Sequence, residues 1–381
     1  MDDILLTLQQ KNGMYKVIKR LEQHERISTI AGYAGTGKTT LIRYIIEEMN
    51  LMKNTVFVSY TGRASLVLRS KGLPATTIHR LIYEVKKSKN KKRNRNRRLD
   101  QIEFVKKIRL SEHIKLIIVD EISMVPLHLL ADLASYKIPV VALGDPFQLP
   151  PVDGSDNGIL DNPHVFLDEI HRQAKDNEII DLSMRVRNGE RLTLHKGSNV
   201  AIIKKSILRV ESMQAADQII CGRNNTRQRI NKYFREEILG RESLLPIKGD
   251  KMVCLKNDWQ IGSRLEDIPL INGMIGYANN SAMVGFDNLF DLYFAPTHNL
   301  SDTYSELRVS ANPFNDKGFK HDRQGINHFD YGYAITVHKA QGSEFPNIII
   351  MDEKIDRKTY LRQLYTAITR ATQNVIIVME D

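Results

Sequence analysis

The sequence predicts an α/β fold of two tandem lobes, each built on a parallel sheet. Three observations carry that reading. Four short, apolar, β-branched runs follow one another in the first half, at residues 27–30, 55–60, 116–120 and 140–144. Such runs fit strands buried on both faces of a parallel sheet, and the helical patterns between most of them fit a doubly wound lobe. A second set of strand-like runs follows beyond residue 176, at residues 218–221, 347–351 and 374–378. The third observation is the turn Gly32-Tyr33-Ala34-Gly35-Thr36-Gly37-Lys38-Thr39, which sits between the first strand and a helix expected through about Met49.

The elements follow in chain order. A first lobe spans residues 1–175, and a polar stretch at 82–113 interrupts it as a short insertion. Residues 86–98 hold nine Lys and Arg and no acid, so that one segment supplies nine of the ten net positive charges. A block of this kind reads as a solvated loop or as a contact for a polyanion. The second lobe spans 176–381. Ile179, Leu182 and Val186 sit at helical spacing before Gly189, and Ile230, Phe234 and Ile238 do so before Gly240. A helix is expected over 358–370. Residues 245–324 carry short apolar runs with Asn-Gly and Asn-Asn turns, which favours a small β-rich insertion. Two isolated cysteines, Cys221 and Cys254, make neither a disulfide framework nor a metal spacing. The acidic start, Met1-Asp2-Asp3, lacks a basic leader, and no apolar run reaches membrane length. An intracellular, cytoplasmic protein with no membrane partner is expected.

The glycine-rich turn has the G-x-x-x-x-G-K-T spacing of a phosphate-binding loop. Glycines let the backbone turn its N–H groups toward phosphate oxygens, and the following helix adds its positive end. Lys38 can reach the β- and γ-phosphates, and the Thr39 hydroxyl can hold Mg²⁺. Leu116-Ile117-Ile118-Val119-Asp120-Glu121 is an apolar strand ending in two acids, the expected place for a metal ligand (Asp120) and a general base (Glu121). Gln148, after the strand at 140–144, lies where an amide could read the γ-phosphate and aim water.

With these residues in view, the chain resembles the superfamily 1 helicases, most closely the RecD/Dda-like branch. Gly32–Thr39 resembles motif I, residues 59–64 motif Ia, and Thr77-Ile78-His79-Arg80-Leu81 the segment after it. Asp120-Glu121 matches motif II, residues 144–149 motif III, and residues 167–172 are similar to motif IV. Residues 336–345 are a close match to motif V, and 364–371 to motif VI. The resemblance implies two RecA-like lobes, a pin within the first insertion and a β-barrel-like insertion in the second. It implies ATP and Mg²⁺ as the bound nucleotide and metal. Around them it places Gly32, Gly35, Thr36, Gly37, Lys38, Thr39 and Thr40, with Gln10 reading the base. Gly342 and Glu344 come from motif V. Lys38, Glu121, Gln148, Arg172 and Arg370 would act in hydrolysis, the two arginines as fingers.

The resemblance further implies a groove for single-stranded DNA and for single–double-strand junctions. Thr61, Arg63, His79, His338 and Ser343 would line it, and Asn225 would contact phosphate at a helix start. The implied function is an ATP-dependent DNA helicase and translocase moving 5′ to 3′, acting as a monomer, with replication or recombination proteins as possible partners. Two readings remain open beside it: a single-strand translocase that strips bound proteins, and a DNA-binding subunit of a larger complex. A nuclease is disfavoured, because no second acidic cluster with metal spacing is present.

Overall fold

Strand formation follows the apolar runs closely. A computed structural model describes residues 6–87, 102–151, 157–169, 177–262, 269–285, 288–297, 303–315, 325–356 and 359–381. Its first sheet is all parallel, in the order Ala75–Thr77, Thr55–Ser59, Leu116–Asp120, Val140–Gly144, Ile27–Gly32, Val165–Leu167. The central strands carry side chains buried on both faces, as a sheet covered on two sides requires. Ile30, Ile118, Val141 and Leu143 pack with Leu41, Ile42 and Ile45 of the helix Lys38–Glu48 and with Val17 and Leu21 of the helix Leu8–Glu22. The last of these starts on a reciprocal cap. Thr7 Oγ1 accepts from Gln10 N, and Gln10 Oε1 accepts from Thr7 N.

In the second sheet Gln218–Cys221, Phe345–Met351, Ala371–Met379 and Val200–Lys204 run parallel, with His195–Lys196 antiparallel at the edge. The helix Glu178–Arg187 opens on Asn177, whose Oδ1 accepts from Ile179 N, and stops before Gly189 at φ +80°. Two RecA-like α/β lobes are therefore present, as expected.

A third sheet is antiparallel throughout: Tyr304–Ser310, Leu289–Pro296, Ile275–Ala278, Lys251–Cys254, Phe329–Tyr331. It curls into a barrel-like form. Asn327 N donates to Arg308 O, so the end of the sheet reaches back to its first strand. This β-rich insertion extends beyond the expected boundary at residue 324. The first insertion contributes an antiparallel pair, Tyr83–Lys87 with Ile102–Lys106. Most of the basic block, residues 88–98, lies outside the described residues.

The chain divides into two compact units. One joins Met1–Ile82, Ile108–Asn224 and Thr336–Asp381, and so holds both parallel sheets. The other joins Tyr83–Lys107 with Asn225–Ile335, and so groups the two insertions. No described helix is long and apolar enough to cross a membrane.

The second unit is organised around a buried charge. Asp250 is fully buried and accepts from Arg235 Nε (3.1 and 3.2 Å), Arg241 Nη1 (2.5 Å), Tyr333 Oη (2.7 Å) and Ile247 N (2.8 Å). Arg235 also donates to the carbonyls of Ser243 and Leu245 and lies over the Tyr331 ring. Removing the carboxylate strands two guanidinium groups away from water. Asp250→Ala should therefore cost about 3–5 kcal/mol, read as a lower melting temperature and denaturant midpoint for this unit, with Asp250→Asn intermediate.

Candidate active site

Three loops meet at the carboxyl edge of the first sheet, where a doubly wound sheet offers its binding crevice. The loop after Ile27–Gly32 is the glycine-rich turn. Gly35 and Gly37 take φ of +77° and +76°, a region that residues with a Cβ rarely enter. A Cβ at Gly32 would meet Thr36 Oγ1 at 2.7 Å and Leu167 O at 2.8 Å. The loop therefore closes on itself, and Thr36 Oγ1 donates to Tyr33 O. Lys38 folds back over it, its ammonium donating to Gly32 O (2.8 Å) and Tyr33 O (2.9 Å). Thr39 and Thr40 follow in the first turn of the helix Lys38–Glu48.

The second loop begins with the two acids. Burial and the neighbouring Glu121 push the Asp120 carboxyl up to about 6, against the opposing pull of Lys38 and Lys71. Asp120 Oδ1 accepts from Glu121 N. Glu121 itself sits at φ +53°, an uncommon backbone for a side chain of this kind. The third loop holds Asp145 and Gln148, both almost fully buried.

Arg370 comes from the second parallel sheet's side of the same unit, just past the helix Tyr360–Ile368. It is 5% exposed, and its Nη1 lies 3.6 Å from Glu121 Oε1. Gln148 stands between the two. With its amide turned to satisfy both neighbours, it donates to Glu121 Oε2 (2.9 Å) and accepts from Arg370 Nη2 (3.1 Å). Arg370 Nε donates to Thr366 O, its Nη1 to Ser343 O, and its Nη2 to Thr369 Oγ1. Lys38, Asp120, Glu121, Gln148 and Arg370 are thus linked by charge or hydrogen bonds. Arg172 lies outside the described residues.

The residues suit a magnesium nucleotide. Among the described residues no group of three or more His, Cys, Asp or Glu could hold a metal. Magnesium bound with a nucleotide needs no such cage, because phosphates and water supply most of its oxygens. Thr39, in the first turn of the helix Lys38–Glu48, and Asp120, at the end of its strand, carry oxygens of the kind Mg²⁺ takes.

Several expected site residues are engaged otherwise. Gln10 is 2% exposed, and its Nε2 donates to Thr36 O while its Oε1 caps the first helix. It braces the phosphate loop from within. Glu344 is half-exposed and pairs with Lys71 Nζ at 2.7 Å. Ser343 is fully buried, so its side chain presents nothing to a strand outside. Gly342 has φ +69°, and a Cβ there would meet Ala64 at 2.8 Å, so this turn packs closely on the helix Gly62–Ser70.

The residues expected to line the DNA groove divide in the same way. Thr61 caps the helix Gly62–Ser70, accepting from Ala64 N. Arg63 is half-buried with its guanidinium 4.7 Å from the Phe345 ring, and desolvation lowers its pKa to about 10. His79 tilts against Tyr60, and burial followed by the nearby His128 lowers its pKa. Burial lowers that of His338 as well. Asn225 is exposed near the start of the helix Asn224–Tyr233, in the second compact unit. Just before that helix, Gly222 N and Arg223 N donate to Glu353 Oε2, so an internal carboxylate takes the turn expected to hold phosphate.

Sequence reasoning passed over other residues here. Tyr365 Oη accepts from Ala34 N of the phosphate loop and donates to Asp145 Oδ2. Arg187 stacks on the Tyr33 ring at 3.6 Å. Gln9 binds Asp168 through both its side-chain oxygen and nitrogen. Tyr365 and Asp145 lie inside the runs at 364–371 and 144–149, so their neighbourhood was visible although their partners were not.

Comparison with known proteins agrees with this geometry. The family model described as an AAA domain matches residues 6–205, and that of the UvrD-like helicase C-terminal domain matches residues 331–378. The ATP-dependent RecD2 DNA helicase of Deinococcus radiodurans is 25% identical over 93% of this chain and 47% of its own length. The ATP-dependent DNA helicase dda of Enterobacteria phage T4 is 29% identical over 49% of this chain and 43% of its own length. An uncharacterised protein of Methanocaldococcus jannaschii is 26% identical over 93% of this chain and 37% of its own. The chain thus spans less than half the length of these curated relatives. Among solved structures, the Pif1 helicase from Bacteroides in complex with ADP-AlF3 and ssDNA shares the fold. Its TM-score is 0.55 at 21% identity, over 98% of this chain and 92% of that one. The chain belongs to the AAA domain family, and its C-terminal residues 331–378 are similar to the UvrD-like helicase C-terminal domain.

Proposed function

We propose that this chain is an ATP-driven motor that travels 5′ to 3′ along single-stranded DNA and separates duplex at a junction. The observation that carries the reading is the meeting of Glu121, Gln148 and Arg370 beside a phosphate-binding loop. These groups fit hydrolysis of a terminal phosphoryl group. Gln148 orients a water against the γ-phosphorus, and Glu121 takes its proton as the new P–O bond forms. The bond from the γ-phosphorus to the β–γ bridging oxygen breaks, leaving ADP and phosphate. Lys38 and Arg370 neutralise the charge that develops on the phosphoryl and bridging oxygens. Magnesium, held by Thr39 and Asp120 with the phosphates, would supply further charge neutralisation there. Arg370 and the phosphate loop come from different sheets, so hydrolysis requires both lobes to touch one nucleotide. Single-stranded DNA as the track, and the polarity, rest on the likeness to the RecD2 and dda helicases and the Pif1 structures.

Unwinding of partial duplexes tests the reading directly. Substrates with a 5′ single-stranded tail should be opened in the presence of ATP and Mg²⁺, and those with a 3′ tail should not. Lys38→Ala should bring turnover and unwinding below detection while leaving single-strand binding, read by fluorescence anisotropy, nearly unchanged. Unwinding by Lys38→Ala would overturn the mechanism. Displacement of a bound protein without strand separation by the unaltered chain would favour the translocase reading.

Replacing Arg370 tests the contribution of the second lobe. Arg370→Ala should lower DNA-stimulated kcat by about 10³-fold, with nucleotide affinity, measured by titration of a fluorescent analogue, changed far less. A loss confined to affinity would assign Arg370 to binding and not to the reaction.

A further inference from the structure

We propose that Tyr365 is a positioning residue for ATP hydrolysis, tying the phosphate loop and the Gln148 loop to the helix that leads to Arg370. The inference rests on the function proposed above. Tyr365 is 1% exposed, so its hydroxyl must be paired inside the protein. It donates to Asp145 Oδ2 at 2.5 Å and accepts from Ala34 N at 3.0 Å. One oxygen therefore joins two loops of the first sheet to a helix of the second lobe.

The bonds around it converge on Gln148. The other carboxylate oxygen of Asp145 accepts from Phe147 N at 2.9 Å, and Asp145 O accepts from Gln148 N at 3.2 Å. Phe147 meets the Tyr365 ring edge-on at 5.2 Å. Beyond Gln148, Leu149 N donates to Thr366 Oγ1 (3.1 Å), and Leu149 O accepts from Gln341 Nε2 (3.0 Å). Asp145 and Leu149, on either side of Gln148, are thus bonded by residues of the second lobe, and two of those, Tyr365 and Thr366, are neighbours on one helix. Thr366 O also accepts from Arg370 Nε. One stretch of helix therefore carries both the carbonyl that holds the arginine and the side chains that bond Asp145 and Leu149 on either side of Gln148.

A phenylalanine at 365 would fill the same space and keep the edge-on contact. The hydroxyl adds only the two bonds, one to the loop that cradles phosphate and one to the carboxylate that shapes the Gln148 turn. Its loss would leave packing intact and loosen the alignment of Gln148 with the nucleotide. Misplacement on that scale lowers the rate of the chemical step more than it weakens binding.

The experiment is steady-state ATP hydrolysis by Tyr365→Phe with and without saturating oligo-dT, beside the unaltered chain, with thermal melting and anisotropy on labelled oligo-dT. The expected result is a fall in DNA-stimulated kcat of about tenfold, with KM for ATP and oligo-dT affinity within about twofold of the unaltered chain. A kcat within about twofold would overturn the proposal, as would a rise in KM with kcat preserved. If Tyr365→Phe shows no cooperative melt, Asp145→Asn, which turns the acceptor of that bond into a donor, carries the same test with the same two outcomes. Absence of ATP hydrolysis by the unaltered chain would instead overturn the helicase reading on which the proposal stands.

Discussion

Arg370 lies 3.6 Å from Glu121, with Gln148 bonded to both, and much of the surrounding structure serves to keep that arrangement. A guanidinium that is 5% exposed cannot be left without acceptors, and this one has Thr366 O, Ser343 O and Thr369 Oγ1 beside the carboxylate. Glu121 reaches it from a backbone at φ +53°, a conformation that costs of the order of 1 kcal/mol or more for a residue with a side chain. Strain of that kind persists only where the surroundings hold it. Here they include the strand Leu116–Asp120 on one side and the short turn Ile122–Met124 on the other.

Parallel sheets explain why the site can draw on distant stretches of sequence. Every strand of the first sheet ends at the same edge, so the loops after residues 32, 120 and 144 become neighbours although they are far apart in the chain. The second lobe then supplies what one sheet cannot, a cation opposite the phosphate loop. The contacts that join the two sheets come mostly from the helix Tyr360–Ile368 and its surroundings: Tyr365 to Ala34 and Asp145, Thr366 to Leu149, Gln341 to Leu149. They are hydrogen bonds between a few polar groups.

The long strands and the phosphate loop were legible because each is a local pattern. Residues 116–120 and 140–144 were read as strands and are strands at those bounds. The elements Ala75–Thr77 and Val165–Leu167 were not read, since three residues are too few to show a period. The role of Gln10 could have been found. Thr7-Leu8-Gln9-Gln10 has the spacing of a capping box, and a residue at its fourth position is drawn to its own helix start. The burial of Ser343 and the grouping of the Tyr83–Lys107 insertion with Asn225–Ile335 depend on contacts between segments distant in sequence, which no local pattern encodes. The same holds for Glu353, which takes up the backbone donors of Gly222 and Arg223 from 130 residues further along.

Buried polar groups are not all treated alike. Asp250 accepts five hydrogen bonds from four donors on four residues, a fully paired network. Among the described residues, three buried side-chain atoms lack a hydrogen-bond partner within the protein: Ser123 Oγ, Ser343 Oγ and Asn327 Oδ1. Two of the three adjoin residues of the Glu121–Arg370 contact, one along the chain and one through its carbonyl. Ser123 follows Glu121 by two residues, and Ser343 gives its carbonyl to Arg370. An unpaired buried hydroxyl costs about 1–3 kcal/mol, a cost that falls here next to residues that carry the site.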